Sequence, residues 1–198
     1  ITADENFNTF SLSWYNNTDV DPATGLTPYI NMQKVLKVCH DFVDNFDNTF
    51  SNLLFIGQTG VGKTFLTNCI AKELLDSSHS VIYLTAVEFF DSFKSDDFKE
   101  FGSSKFDTSF FVECDLLIID DLGTEKASDY NFSNLFNTIN ERLLRRKSII
   151  ISSNLEMPDI ETRYSQRIFS RLVSAYSILR LFGDDIRCMK KLSPTKRS

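Results

Sequence analysis

The stretch that most constrains the fold is Leu53-Leu54-Phe55-Ile56-Gly57-Gln58-Thr59-Gly60-Val61-Gly62-Lys63-Thr64. An apolar strand runs into G-x-x-x-x-G-K-T, which opens a helix, the context that a phosphate-binding P-loop requires. The glycines let the loop backbone come close to phosphate, and the loop N–H groups and the helix dipole favour the anion. Gly57, Gln58, Thr59, Gly60, Val61, Gly62, Lys63, Thr64 and Phe65 are therefore predicted to hold a nucleoside di- or triphosphate. Lys63 is expected at the β/γ-phosphates and the Thr64 hydroxyl on Mg²⁺.

A second element supplies acid. Asp115-Leu116-Leu117-Ile118-Ile119-Asp120-Asp121 holds four consecutive apolar residues, as in a strand buried on both faces. Two carboxylates sit at its carboxyl end, where open α/β sheets bind their ligands. Asp120 is predicted to hold Mg²⁺ and Asp121 to orient or deprotonate the attacking water. A third strand, Ile149-Ile150-Ile151-Ser152-Ser153-Asn154, is expected between these two. Asn154 would then stand beside the γ-phosphate, positioning water or reporting hydrolysis.

The remaining chain reads more plainly. Residues 1 to 28 read as an irregular arm whose Phe7, Phe10, Leu12, Trp14 and Tyr15 can pack on the domain. Apolar residues at three- and four-residue steps predict a helix from Tyr29 to Phe46, and Leu66, Cys69, Ile70 and Leu74 predict another ending near Asp76. Val81-Ile82-Tyr83-Leu84 reads as a buried strand. Between residues 86 and 112, eight Phe residues alternate with charge; a buried helix face is the preferred reading over a stacking surface for single strands. A helix is predicted over 128 to 146, with Phe132, Leu135, Phe136, Ile139, Leu143 and Leu144 on its apolar face. Its terminal Arg142, Arg145, Arg146 and Lys147 read as a solvated cap. One helix from Pro158 to Ser174 is expected to align Arg163, Arg167 and Arg171 on one face. A last strand covers Tyr176 to Phe182, and residues 188–198 read as a basic tail.

Composition limits the partners. Net charge is −6, so nucleic-acid contact must come from a local patch or an assembly of subunits. Candidates are the tail lysines with Lys94, Lys99 and Lys105, and such binding is expected to be salt-dependent. Cys39, Cys69, Cys114 and Cys188 show no C-x-x-C pair, which argues for a reducing compartment and against a zinc site or disulfide framework. No run approaches membrane-spanning length and no signal peptide is visible, so the expected location is cytoplasmic with no membrane partner. The chain begins with Ile1 and reads as a fragment or as lacking its true start.

Gly57-Gln58-Thr59-Gly60-Val61-Gly62-Lys63-Thr64, Asp120-Asp121-Leu122-Gly123, Ile151-Ser152-Ser153-Asn154 and Arg167-Ile168-Phe169-Ser170-Arg171-Leu172 stand in the order found in helicase loaders. Over residues 29–187 the chain resembles the DnaC/DnaI-type AAA+ ATPases and their IstB-like relatives, which are related to DnaA. The resemblance implies an α/β AAA+ P-loop NTPase domain, a parallel five-stranded sheet with helices on both faces. It implies binding of ATP/ADP with Mg²⁺ between subunits, self-association on single-stranded DNA, and loading of the replicative helicase. It makes Asn154 the first sensor, Arg171 (or else Arg167) the arginine finger entering a neighbour's site, and Arg187 a second-sensor arginine. Loaders also carry an N-terminal helicase-binding domain, for which residues 1–28 are too short. The second acid is Asp121 where many AAA+ proteins have Glu, so slow hydrolysis is expected.

Other readings are a transposition-helper ATPase of IstB type, a P-loop small-molecule kinase and a non-hydrolysing ATP-dependent scaffold. The kinase is disfavoured because no glycine-rich lid with clustered arginines is present. A GTPase is disfavoured because no Asn-Lys-x-Asp motif occurs.

Overall fold

The computed structural model describes residues 4–94 and 108–192. Five strands form one sheet: β1 (Leu53–Ile56), β2 (Val81–Thr85), β3 (Leu116–Leu122), β4 (Ser148–Ser153) and β5 (Ser177–Arg180). Their order is β2-β3-β4-β1-β5 and every pairing is parallel. The helices are α1 (Pro28–Asp44), α2 (Lys63–Asp76), α3 (Ala86–Lys94), α4 (Phe110–Glu113), α5 (Asp129–Arg145), α6 (Met157–Arg163), α7 (Gln166–Ala175) and α8 (Ile186–Leu192).

Alternation along the strands divides the core. Leu53 and Phe55 face α1 and α2, packing with Met32, Val35, Leu66 and Ile70. Leu54 and Ile56 face the other layer, with Phe89, Phe90, Leu135, Ile139, Ile168 and Leu172. Sheets covered on both faces need such unbroken apolar strands. α1 starts where Thr27 Oγ1 accepts from the Ile30 N–H, with Pro28 in the first turn. Among the described residues, no helix is long and apolar enough to cross a membrane.

Several expectations are corrected. Val81–Thr85 is an edge strand and only half-buried, because it pairs with β3 alone. The helix expected from Pro158 to Ser174 is two helices. Tyr164 leaves helical conformation at the end of α6, and the Ser165 side chain caps α7 by accepting from the Ile168 N–H. Arg163 therefore does not share a helix face with Arg167 and Arg171. Residues 188–192 are not tail, since α8 runs through Leu192. Leu144 is 72% exposed rather than part of the apolar face of α5. Buried Phe89, Phe90 and Phe111 form a ring cluster with half-buried Phe93, as the core reading holds for these four, whereas Phe110 is 55% exposed. Phe98, Phe101, Phe106, Lys99, Lys105, Lys196 and Arg197 lie outside the described residues, as does the side chain of Lys94.

The basic cluster ending α5 is also corrected. Arg142 is fully buried rather than solvated. Its guanidinium donates to the carbonyls of Phe111, Cys114, Asp115 and Ser148. Lys147 donates to Asp115 at 2.8 Å, and Ser80 supplies its hydroxyl and N–H to the same carboxylate. These bonds, Lys147 first, hold the Asp115 carboxyl well below the usual carboxylate range. A depressed folded-state pKa contributes stability above the unfolded value near ~4, lost as pH falls through the folded value. Asp115→Asn is accordingly expected to lower the melting temperature at pH 7, with the gap to wild type narrowing below about pH 4. A gap constant from pH 7 to pH 2 in thermal denaturation would contradict this.

Candidate nucleotide-binding site

The carboxyl ends of β1, β3 and β4 converge on one cavity. Its wall includes Thr59, Gly60, Gly62, Lys63, Thr64, Phe65, Asp121 and Asn154. α2 starts at Lys63 with Gly62 at its N-cap, and among the described residues no side chain caps its first turn. Gly57 has φ +143°, and a Cβ there would collide with the Leu181 carbonyl. Gly62, at φ +104°, backs onto the Tyr15 hydroxyl, which donates to the Val61 carbonyl at 3.1 Å. These glycines are thus required by the protein packed behind the loop as well as by its curvature.

Lys63 is 5% exposed and stands at the centre. Its ammonium donates to the Gly57 and Gln58 carbonyls at 2.6 and 2.8 Å and to Asn154 Oδ1 at 2.7 Å. Burial lowers its pKa; Asp121 and Asp120 oppose that shift, and Arg187 adds to it. Asn154 Nδ2 in turn donates to Asp121 Oδ1 at 3.3 Å. One amide therefore bridges the P-loop lysine and the second acid of β3.

The two acids are held differently. Asp120 is buried and accepts from the hydroxyls of Thr64 at 3.0 Å, Tyr83 at 2.8 Å and Ser152. Asp121 has φ +57°, at a register irregularity in the β3–β4 pairing. A non-glycine residue in this region is uncommon and costs about 1–3 kcal/mol. Its N–H is fixed by Ser152 Oγ at 2.9 Å, so Ser152 serves both acids. The swing turns the Asp121 side chain toward Asn154 and away from the strand's alternation.

Lys63, Thr64, Asp120, Asp121 and Asn154 are brought together as the sequence predicts, and β4 lies between β1 and β3. Arg187 also lines the cavity, from α8. Arg171 and Arg167 do not line it. They border a separate cleft with Phe136, Gln166 and Ser170, and Arg171 donates to Asn140 Oδ1 at 3.2 Å. Sequence reasoning missed Tyr83 and Ser152 as holders of Asp120, because the register that sets Thr85 opposite Asp120 is fixed only by the β2–β3 pairing. It also missed the arm as part of the site: Phe10, Trp14 and Tyr15 line the cavity, and Lys190 stands 5.7 Å above the Trp14 ring.

The residues fit a nucleotide with Mg²⁺. Thr64 Oγ1 and Asp120 Oδ2 are hard oxygens on facing elements, the donor type that Mg²⁺ takes beside phosphate oxygens and water. The uncapped helix start and Lys63 suit the phosphates.

The profile of the family described as IstB-like ATP binding protein matches residues 30–193. The chain belongs to that IstB-like ATP-binding family. It is 25% identical over 151 residues to the replicative helicase loader DnaC of Escherichia coli K12, covering 76% of this chain and 61% of the loader. The chain thus spans about three-fifths of that relative's length. In fold this IstB-like domain is similar to AMPPCP-bound DnaA from Aquifex aeolicus, with a TM-score of 0.71 and 18% identity over 100% of this chain and 58% of the other. A crystal structure of the DnaC helicase loader gives 0.67 and 20% identity over 91% of this chain and 100% of the other. The fold of this family member is that of an AAA+ P-loop domain.

Proposed function

We propose that this IstB-like domain hydrolyses ATP with Mg²⁺ and is the ATPase part of a cytoplasmic replication protein that loads the replicative helicase onto single-stranded DNA. The likeness to DnaC over 76% of the chain supports the loader reading. The family match supports a second reading, a transposition-helper ATPase. Capture of the replicative helicase by the full-length protein favours the first, and capture of a transposase in its place favours the second.

The observation that carries the chemistry is the Lys63–Asn154–Asp121 chain. Lys63 binds the β/γ-phosphates as a point charge. Thr64 and Asp120 hold Mg²⁺, which neutralises charge on the phosphates when bound. Asp121 takes the proton of the attacking water, and Asn154 fixes that carboxylate against the Lys63 charge. Arg187 acts in the same subunit, from α8, as the second sensor. Arg171 acts in trans, which makes ATP turnover depend on self-association.

Asp121→Asn is expected to keep ATP affinity within about twofold while slowing turnover by about 10²-fold or more, because the water loses its base. Calorimetry and steady-state hydrolysis with single-stranded DNA present check this. Wild-type turnover in that variant would reassign the base.

A further inference from the structure

We infer that Glu125 is a positioning residue that ties the acid end of β3 to the start of the arginine-bearing helix α7; this rests on the trans role given to Arg171. Glu125 is four residues beyond Asp121, and its side chain is 2% exposed. One carboxylate oxygen accepts from the Gly123 N–H at 2.8 Å, inside the loop that leaves β3. The other accepts from the Tyr164 hydroxyl at 2.6 Å and lies 3.5 Å from Arg163 Nε. Arg163 also donates to the Glu125 backbone carbonyl.

These partners occupy the break between α6 and α7. Tyr164 is the residue that leaves helical conformation, Ser165 caps α7, and the next turns carry Arg167 and Arg171. The same loop is fastened to β4, because Ser153 Oγ donates to the Leu122 carbonyl at 2.6 Å. Asn154, which holds Asp121, follows directly.

A buried carboxylate is retained only where partners satisfy it. Here those partners come from the β3 loop on one side and the α6–α7 break on the other. A shift at Asp121 and Asn154 therefore cannot leave the break unmoved without separating Glu125 from Tyr164 or Arg163. Glu125 touches no reacting atom in this scheme; it sets the direction in which α7 presents Arg171 to a neighbouring subunit.

The test assigns the effect to one subunit of a mixed assembly. Lys63→Ala supplies an intact Arg171 beside a dead site, and Arg171→Ala supplies an intact site. Their mixture is expected to recover ATPase activity. Adding Glu125→Gln to the Lys63→Ala chain should cut that recovery by about tenfold, a coupling of ordinary size. The same change in the Arg171→Ala chain should lower the recovery by a clearly smaller factor, since there it reaches the working site only through the Gly123 bond. A merely structural role would lower both mixtures alike. Glu125→Gln keeps side-chain volume and an acceptor for Tyr164, and Tyr164→Phe in the Lys63→Ala chain should repeat the effect if either variant proves poorly folded. Recovery insensitive to both changes in the Lys63→Ala chain, or equally lost from either chain, overturns the coupling alone. No recovery in the parent mixture, with assembly confirmed, overturns the trans role of Arg171 and the coupling with it.

Discussion

Arg171→Ala is expected to bind ATP as wild type does yet turn it over about 10³-fold more slowly, the scale on which an arginine finger acts. The residue is exposed on α7, makes one long side-chain bond, to Asn140 at 3.2 Å, and does not line the cavity that holds Lys63. If Arg171 were only a surface cation, its removal would cost at most about 1 kcal/mol and leave hydrolysis near wild type. The finger role predicts a defect that a second chain repairs. Lys63→Ala and Arg171→Ala, each inactive alone, should regain activity when mixed, because an intact site then meets an intact arginine. Confirmed mixed assembly without activity would pass the role to Arg167, one turn earlier on the same cleft.

Arg142 should give the largest stability effect. It crosses from α5 to the chain before β3 and the start of β4, where four carbonyls and the Cys114 sulfur accept from it. Removing the guanidinium leaves buried acceptors unsatisfied, each a cost of about 1–3 kcal/mol, offset in part by no longer burying a charge. Arg142→Ala is therefore expected to lose about 3 kcal/mol or more, roughly 6–12 °C in melting temperature for a chain of this size. Arg142→Lys should recover little, since one ammonium cannot span the acceptors of a planar fork. A melting temperature within about 1 °C of wild type for Arg142→Lys would contradict this account.

Much of the site was legible because its chemistry is local in sequence. Gly57 to Thr64, the Asp120-Asp121 pair and Asn154 each sit at the end of an apolar run, and a parallel sheet brings such ends together. What escaped depends on contacts remote in sequence. Nothing within Arg142-Leu143-Leu144-Arg145-Arg146-Lys147 distinguishes the buried arginine from its exposed neighbours. The break between α6 and α7 contains no Gly or Pro; it follows from burial of Tyr164 on Glu125 and from the Ser165 cap. Ser165 before Gln166-Arg167-Ile168 was a readable start signal, outweighed by the four-residue spacing of the arginines. The arm was readable as aromatic, but that Tyr15 reaches the Val61 carbonyl is a tertiary fact.

The proposed function requires that nucleotide held by Lys63 drive assembly of this domain on DNA, with a neighbour's arginine completing each site. The most direct measurement is molar mass by light scattering, with Mg-ATP and single-stranded DNA added separately and together. The account predicts a single chain without ligands, a multiple of that mass with both, and no multiple for Lys63→Ala. A wild-type chain that binds ATP by calorimetry yet keeps the mass of one subunit in every mixture would contradict it.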